Sequence, residues 1–348
     1  MLPALLIAIA CFTVAALLTM RIGREAAHFG LLDVPNPRSS HSHAVPRGGG
    51  LAIVLVTLCA ALLLTLAGRW SAAEAIAWLG GGSAVALAGL LDDRGGLSVR
   101  SRLLVHFAAA ACALWARQRL LAPGTPPDGW ALSLTLWATG GLAVVWGTNF
   151  FNFMDGIDGL AAQQTVFVAG AAWLLGAGPR TGAEGWMLLC LVGATSGFLV
   201  WNWAPARIFM GDVGSGFLGF SLQLLALLTS ANGSLSLWSW VILEGAFIVD
   251  ATVTLIVRGA RGERLSAAHR QHAYQRLARR FGSHARVSWG FAAVNILWLL
   301  PCAECAARRP QSAPWITLGA LAPLILIAFL LGAGRGGEFG VPRQASAS

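Results

Sequence analysis

Long apolar runs divide this 348-residue chain from end to end, at roughly 2–20, 49–67, 73–91, 103–120, 130–147, 160–177, 186–203, 214–230, 237–257, 288–306 and 315–333. A helix that crosses a bilayer needs about 20 mostly apolar residues, and in lipid only helices or closed barrels satisfy their own backbone. The pattern predicts an all-α fold, a polytopic integral membrane bundle of about 11 transmembrane helices, with ten as the alternative. Charged residues are 11% of the chain, against about 25% in a soluble domain, which excludes a soluble globule. One membrane domain over 1–335 is the economical reading, followed by a short tail, 336–348, expected to be disordered. The first run has no preceding cation and no clean cleavage site, so it reads as a retained span.

Charge then orients the bundle. All 24 basic residues are Arg, and alternating the runs across the membrane puts 18 of them on one side and 6 on the other. The richer side is cytoplasmic by the positive-inside rule, which places the N-terminus outside and the C-terminus inside. The net charge of +9 suits anionic partners and membrane lipid, not nucleic acid. Nearly all polar clusters fall on that same side, at 33–48, 92–102, 148–159, 202–215 and 258–287. A transporter would spread polar groups through the bilayer depth. One-sided clustering points instead to chemistry at the cytoplasmic surface. The six cysteines lie within or at the ends of apolar runs and read as small buried hydrophobes.

Asp92 and Asp93 follow the third run directly. Adjacent carboxylates at a helix C-terminus repel each other and oppose the macrodipole, so they call for a cation or a shared proton. Arg94, Arg100 and Arg102 are near enough in sequence to neutralise them or grip a phosphate. A solvated helix end is the bland alternative. In NFFNFMDGIDGLAA, Asn149, Asn152, Asp155 and Asp158 recur every third residue and can share one side of a helix. Hard oxygen donors in such a row suit Mg²⁺, which takes one or two carboxylates plus substrate phosphate oxygens. The alternative is a polar seam between helices. In WNWAPARIFMGDVGSGFLGF, Asn202, Phe209 and Asp212 lead into an apolar run. A Gly-flanked acid at a helix N-terminus suits a metal–phosphate complex, although plain N-capping explains it about as well.

The stretch 261–286 carries seven Arg, with His269 and His272 three apart. Facing five cytoplasmic aspartates, it reads as a clamp for a diphosphate; an ordinary positive-inside loop is the alternative. Asp250 lies inside the ninth run, where it needs a polar partner. Arg38, His41, His43 and Arg47 precede a triple glycine, which is either packing or an approach to a second phosphate.

These motifs, DD, NFFNFMDGIDGLA, IFMGDVGSGFLG and HRQHAYQRL in this order over about 33–285, resemble the polyprenyl-phosphate N-acetylhexosamine-1-phosphate transferases of the glycosyltransferase-4 type. Phospho-N-acetylmuramoyl-pentapeptide transferase is a related branch. It carries three consecutive histidines in the last loop, which this chain lacks, so the resemblance favours the branch that initiates O-antigen or other envelope polysaccharides. It implies transfer of a sugar 1-phosphate of the GlcNAc, QuiNAc or FucNAc type from a UDP-N-acetylhexosamine to undecaprenyl phosphate. The enzyme would sit in a bacterial inner membrane, use Mg²⁺ with Mn²⁺ as a substitute, and leave homodimerisation open. The resemblance makes Asp212 the main metal ligand, with Asn152 or Asp155 close to the metal and diphosphate. Asp158 and Asn202 match nucleotide-binding positions, and Phe209 an aromatic that stacks on uracil. His269 and His272 match the sugar-diphosphate loop, and Asp92 or Asp93 would deprotonate or position the lipid phosphate. Asn149, Arg102 and Arg47 complete the expected substrate contacts, and direct attack by the lipid phosphate is favoured over a covalent intermediate.

Two rivals stand beside it. Glu244 and Asp250 within one run are the best support for a transporter. A CDP-alcohol phosphatidyltransferase would need further acids on the helix after DG, and DGIDGLAAQQTVFVAGAAW has none beyond Asp158.

Overall fold

The computed structural model describes residues 2–28, 30–33, 44–121, 130–176, 182–267 and 269–336. Arg38, His41 and His43 lie outside the described residues, as does the tail from 337. Every one of the apolar runs falls on a helix, so the protein is a polytopic helical membrane protein. Seven helices are long and apolar enough to cross a membrane: Leu2–Glu25, Ala72–Gly95, Val99–Leu121, Gly182–Asn202, Asp212–Ala231, His284–Arg308 and Pro310–Leu330. An eighth span arises if Leu237–Leu243 and Gly245–Ala260, bent by 74°, are one broken helix. Seven or eight of the expected eleven pass by length and composition alone, among the described residues. Of the other three runs, that at 130–147 lies on the 24-residue helix Trp130–Phe153, and glycines shorten the other two. Gly50–Leu66 and Leu160–Leu175 have 17 and 16 residues, because turns at Gly48–Gly49, Gly159 and Gly176 end them where hydropathy still reads as apolar.

Asp212–Ala231 is the central helix. It packs against Gly50–Leu66, Ser83–Gly95, Val99–Leu121 and Trp130–Phe153. Its apolar window is 89% buried, against 17% for Leu2–Glu25 and 22% for the last two spans, whose flanks are left for lipid. Small residues let its backbone approach its neighbours closely, which replaces the missing hydrophobic drive between helices in lipid. A Cβ at Gly89 would run into the Asp212 carbonyl, so this glycine seats the acidic helix end beside Asp212. Gly89→Ala must push the two helices apart. The expected result is a lowered thermal midpoint, as for overpacking that costs ~1–3 kcal/mol, together with lost activity. A midpoint unchanged in detergent would show that the approach is not needed.

The broken helix is stabilised internally. A break frees backbone groups, which lipid tolerates only if protein re-satisfies them. Gln164 Nε2 donates to the Leu243 carbonyl at 3.2 Å, and Asn295 Nδ2 donates to Gln164 Oε1 at 2.6 Å. At the bend, Glu244 accepts from Gln223 Nε2 through both carboxylate oxygens, at 3.0 and 2.8 Å. Buried polar side chains thus hold the bend, and the best support for a transporter loses its force.

One short antiparallel pair, Leu32–Asp33 with Val45–Pro46, precedes the second helix. Its edge is extended by Phe209 N–H donating to Pro46 O, and by Gly49 and Gly50 N–H donating to Phe209 O and Met210 O. This strap fixes Arg47 over the start of the central helix.

Candidate active site

The adjacent acids at the end of Ser83–Gly95 play different parts. The Asp93 side chain is wholly buried, and it accepts the Asp212 and Val213 N–H groups at 2.9 and 3.0 Å. It therefore caps the central helix from a different part of the chain, satisfying donors that every helix start leaves free. Gly211 makes this possible: its φ is +77°, and a Cβ there would stand 2.5 Å from Asp93 Oδ2. Asp92 turns elsewhere, accepting Leu97 N–H at 2.5 Å and Arg102 Nη1 at 2.6 Å.

Two guanidinium groups knit these carboxylates to Asp212. Arg47 Nε contacts Asp93 at 2.9 Å and its Nη2 contacts Asp212 at 3.0 Å. Arg102 Nη1 bridges Asp92 and, at 3.4 Å, Asp212. Burial alone would ease the proton off Arg47, but the Asp93 and Asp212 carboxylates outweigh it and hold the cation more firmly than usual.

Beside this cluster opens a cavity of about 970 Å³, at the upper end of the range for small-ligand sites. Arg47, Asn152, Asp155, Asp158, Asn202, Phe209 and Asp212 line it, together with Asp33 and with His269, Arg270, Gln275, Arg279 and His284. Asp155 has no hydrogen-bond partner for its carboxylate among the described residues. Burial and then the Asp212 carboxylate push its pKa well above the ordinary range, against the pull of Arg47. Asn152 Nδ2 donates to Ser215 Oγ at 3.0 Å, and its amide oxygen has no donor among the described residues. His269 is pushed down to about 4, first by burial and then by His272 and Arg258, so it meets a ligand as a neutral hydrogen-bonding ring.

Other expected site residues are committed to the framework. Asn202 is buried, accepting Gly159 N–H at 3.0 Å and donating to Ile208 O at 2.9 Å. Asp158 accepts Ala206 N–H at 3.1 Å and pairs with His284 Nδ1 at 3.2 Å. Asn149 faces His106 Nδ1 at 3.2 Å and donates to Val145 O, away from the cavity lining. His272 is also outside that lining, buried against Asp250. Sequence reasoning missed His106, His284 and Asp33. Only the Gly-Ser-His helix start at 282–284 offered a local sign of one of them.

Apolar helices long enough to cross a membrane, with carboxylates and guanidinium groups around one large cavity, define the class: a multi-pass helical membrane protein with a strongly charged site. The family model described as Glycosyl transferase family 4 matches residues 75–230. A probable undecaprenyl-phosphate N-acetylglucosaminyl 1-phosphate transferase of Bacillus subtilis (strain 168) is 31% identical over 287 residues, covering 78% of this chain and 76% of that protein. A phospho-N-acetylmuramoyl-pentapeptide-transferase of Synechococcus elongatus is 32% identical over 231 residues, covering 61% of this chain and 60% of that protein. Another, from Moorella thermoacetica, is 34% identical over 200 residues, covering 53% and 63%. The chain belongs to glycosyl transferase family 4.

Proposed function

We propose that the protein transfers an N-acetylhexosamine 1-phosphate from a UDP-sugar to undecaprenyl phosphate, releasing UMP and beginning an envelope polysaccharide. The observation that carries this reading is Asp155, a half-buried carboxylate without a hydrogen-bond partner among the described residues, facing the same cavity as Asp212 and Arg47. The donor is a simple UDP-N-acetylhexosamine of the GlcNAc, QuiNAc or FucNAc type.

The attacking atom is an oxygen of the lipid phosphate. It forms a bond to the sugar-bearing phosphorus as the bridge to UMP breaks, and UMP leaves with the bridging oxygen. Arg102 and Asp92 hold the acceptor phosphate, with Asp92 taking any remaining proton. Asp93 positions the start of the central helix and Arg47. Phe209 offers its ring to the uracil, and neutral His269 with Gln275 offers hydrogen bonds to the sugar diphosphate. Asp155, Asp212 and the Asn152 amide oxygen suit a Mg²⁺ ion, since this cation needs only one or two carboxylates when substrate phosphates and waters supply the rest. When bound, the ion would neutralise charge on the diphosphate as UMP departs. The arginine bias of 18 to 6 supports a site on the cytoplasmic face of a bacterial plasma membrane, with the N-terminus outside.

Membranes carrying the protein should release UMP from UDP-N-acetylglucosamine or a 6-deoxy relative when undecaprenyl phosphate is added. They should ignore UDP-N-acetylmuramoyl-pentapeptide. Turnover of the pentapeptide donor alone would replace the donor assignment with that of the second group of relatives. No UMP from any of these donors would overturn the reaction.

A further inference from the structure

Asp250 lies in Gly245–Ala260, the second half of the broken helix, and is 4% exposed. A carboxylate so placed is costly unless it is fully hydrogen-bonded. Four donors meet it. Its Oδ1 accepts Ala273 N–H at 2.9 Å, Thr254 Oγ1 at 3.2 Å and His272 Nδ1 at 3.3 Å, and its Oδ2 accepts Tyr274 N–H at 2.9 Å. Asp250 thus caps Ala273–Phe281 from another helix and fixes which nitrogen of His272 carries a proton.

Two paths lead from this anchor to the cavity. The His272 ring stacks on His269, 5.0 Å between centroids and 29° between planes, and His269 lines the cavity. The Tyr274 hydroxyl, fully buried, donates to the Phe153 carbonyl at 2.9 Å and lies so close to Gly156 that no side chain fits there. Phe153 and Gly156 flank the segment that carries Asp155. One carboxylate therefore holds both the histidine loop and the loop that carries Asp155, although Asp155 and Asp250 are 95 positions apart in the chain.

We infer that Asp250 is a positioning residue for the transfer reaction: it acts through His272 and Tyr274 to set the distance between two walls of the donor cavity. It touches no substrate itself. The inference rests on the proposed reaction, but its mechanical part can be read without turnover.

The test uses the full chain in lipid nanodiscs. In Asp250→Ala, amide hydrogen exchange should accelerate over 270–276 and also over 154–158. Tyr274→Phe should accelerate 154–158 alone. Acceleration confined to 270–276 in Asp250→Ala would overturn the inference, because the anchor would then serve only its own helix. In kinetics, Asp250→Ala should raise the KM for UDP-N-acetylglucosamine at least tenfold and leave that for undecaprenyl phosphate within twofold. Asp250→Asn, whose amide oxygen still accepts an N–H, should fall between. Equal losses for both substrates with a lowered thermal midpoint would mean plain destabilisation and would overturn it too. If the unaltered protein releases no UMP from any UDP-sugar, the proposed reaction fails, and the exchange pattern alone decides whether Asp250 joins the two walls.

Discussion

Asp212→Asn is expected to reduce UMP release by at least ~10³-fold while leaving the protein folded. The amide has nearly the same size as the carboxylate, and the cap that Asp93 places on the backbone of residue 212 does not involve the side chain. Only the charge is lost, and with it the ion pairs to Arg47 and Arg102. Removing one electrostatic stabiliser of developing charge typically costs ~10²–10³ in rate, and weakening a bound cation adds to this. The check is UMP release beside a thermal midpoint in the same detergent. More than a tenth of normal activity, or full activity in EDTA, would refute the roles given to Asp212 and Mg²⁺.

The second large effect separates the adjacent acids. Asp93→Ala orphans two helix-start N–H groups and leaves the half-buried Arg47 with one fewer carboxylate. Each buried donor left without its acceptor costs about 1–3 kcal/mol, so folded yield and midpoint should fall sharply. Asp93→Asn keeps one acceptor and should lose less. Asp92→Asn should behave in the opposite way, with a midpoint close to normal and kcat lowered by ~10²–10⁴, the range for a proton-transfer group. If instead Asp92 variants unfold and Asp93→Asn merely slows turnover, the assignment of the two roles is reversed.

Helix positions were legible in the sequence because apolar runs and membrane helices share a length scale. The acid clusters were legible too, since Asp92, Asp155 and Asp212 each sit in a short polar island between apolar runs. What stayed hidden was pairing across the chain. Nothing local to DD tells which acid will cap a helix that starts 119 residues later. Periodicity put Asn149 in one row with Asp155, yet the helix ends at Phe153 and the chain then turns, so Asn149 stays among helices and Asp155 enters the cavity. His284 was passed over because its partner, Asp158, is 126 positions away. The bend at Glu244 was invisible to hydropathy, which cannot distinguish a straight run from one broken by a buried acid.

The link between Asp93 and the central helix also bears on biosynthesis. At about 5–20 residues per second, ribosomes deliver Asp212 on the order of ten seconds after Asp93 has emerged. During that interval the acid has no cap to make, and Arg47 is the only one of its partners already synthesised. A nascent chain stopped before residue 211 would carry an acidic helix end with its main donors missing. Such fragments should be short-lived targets for membrane proteases, and co-expressing the missing half, with its helix start intact, should rescue them.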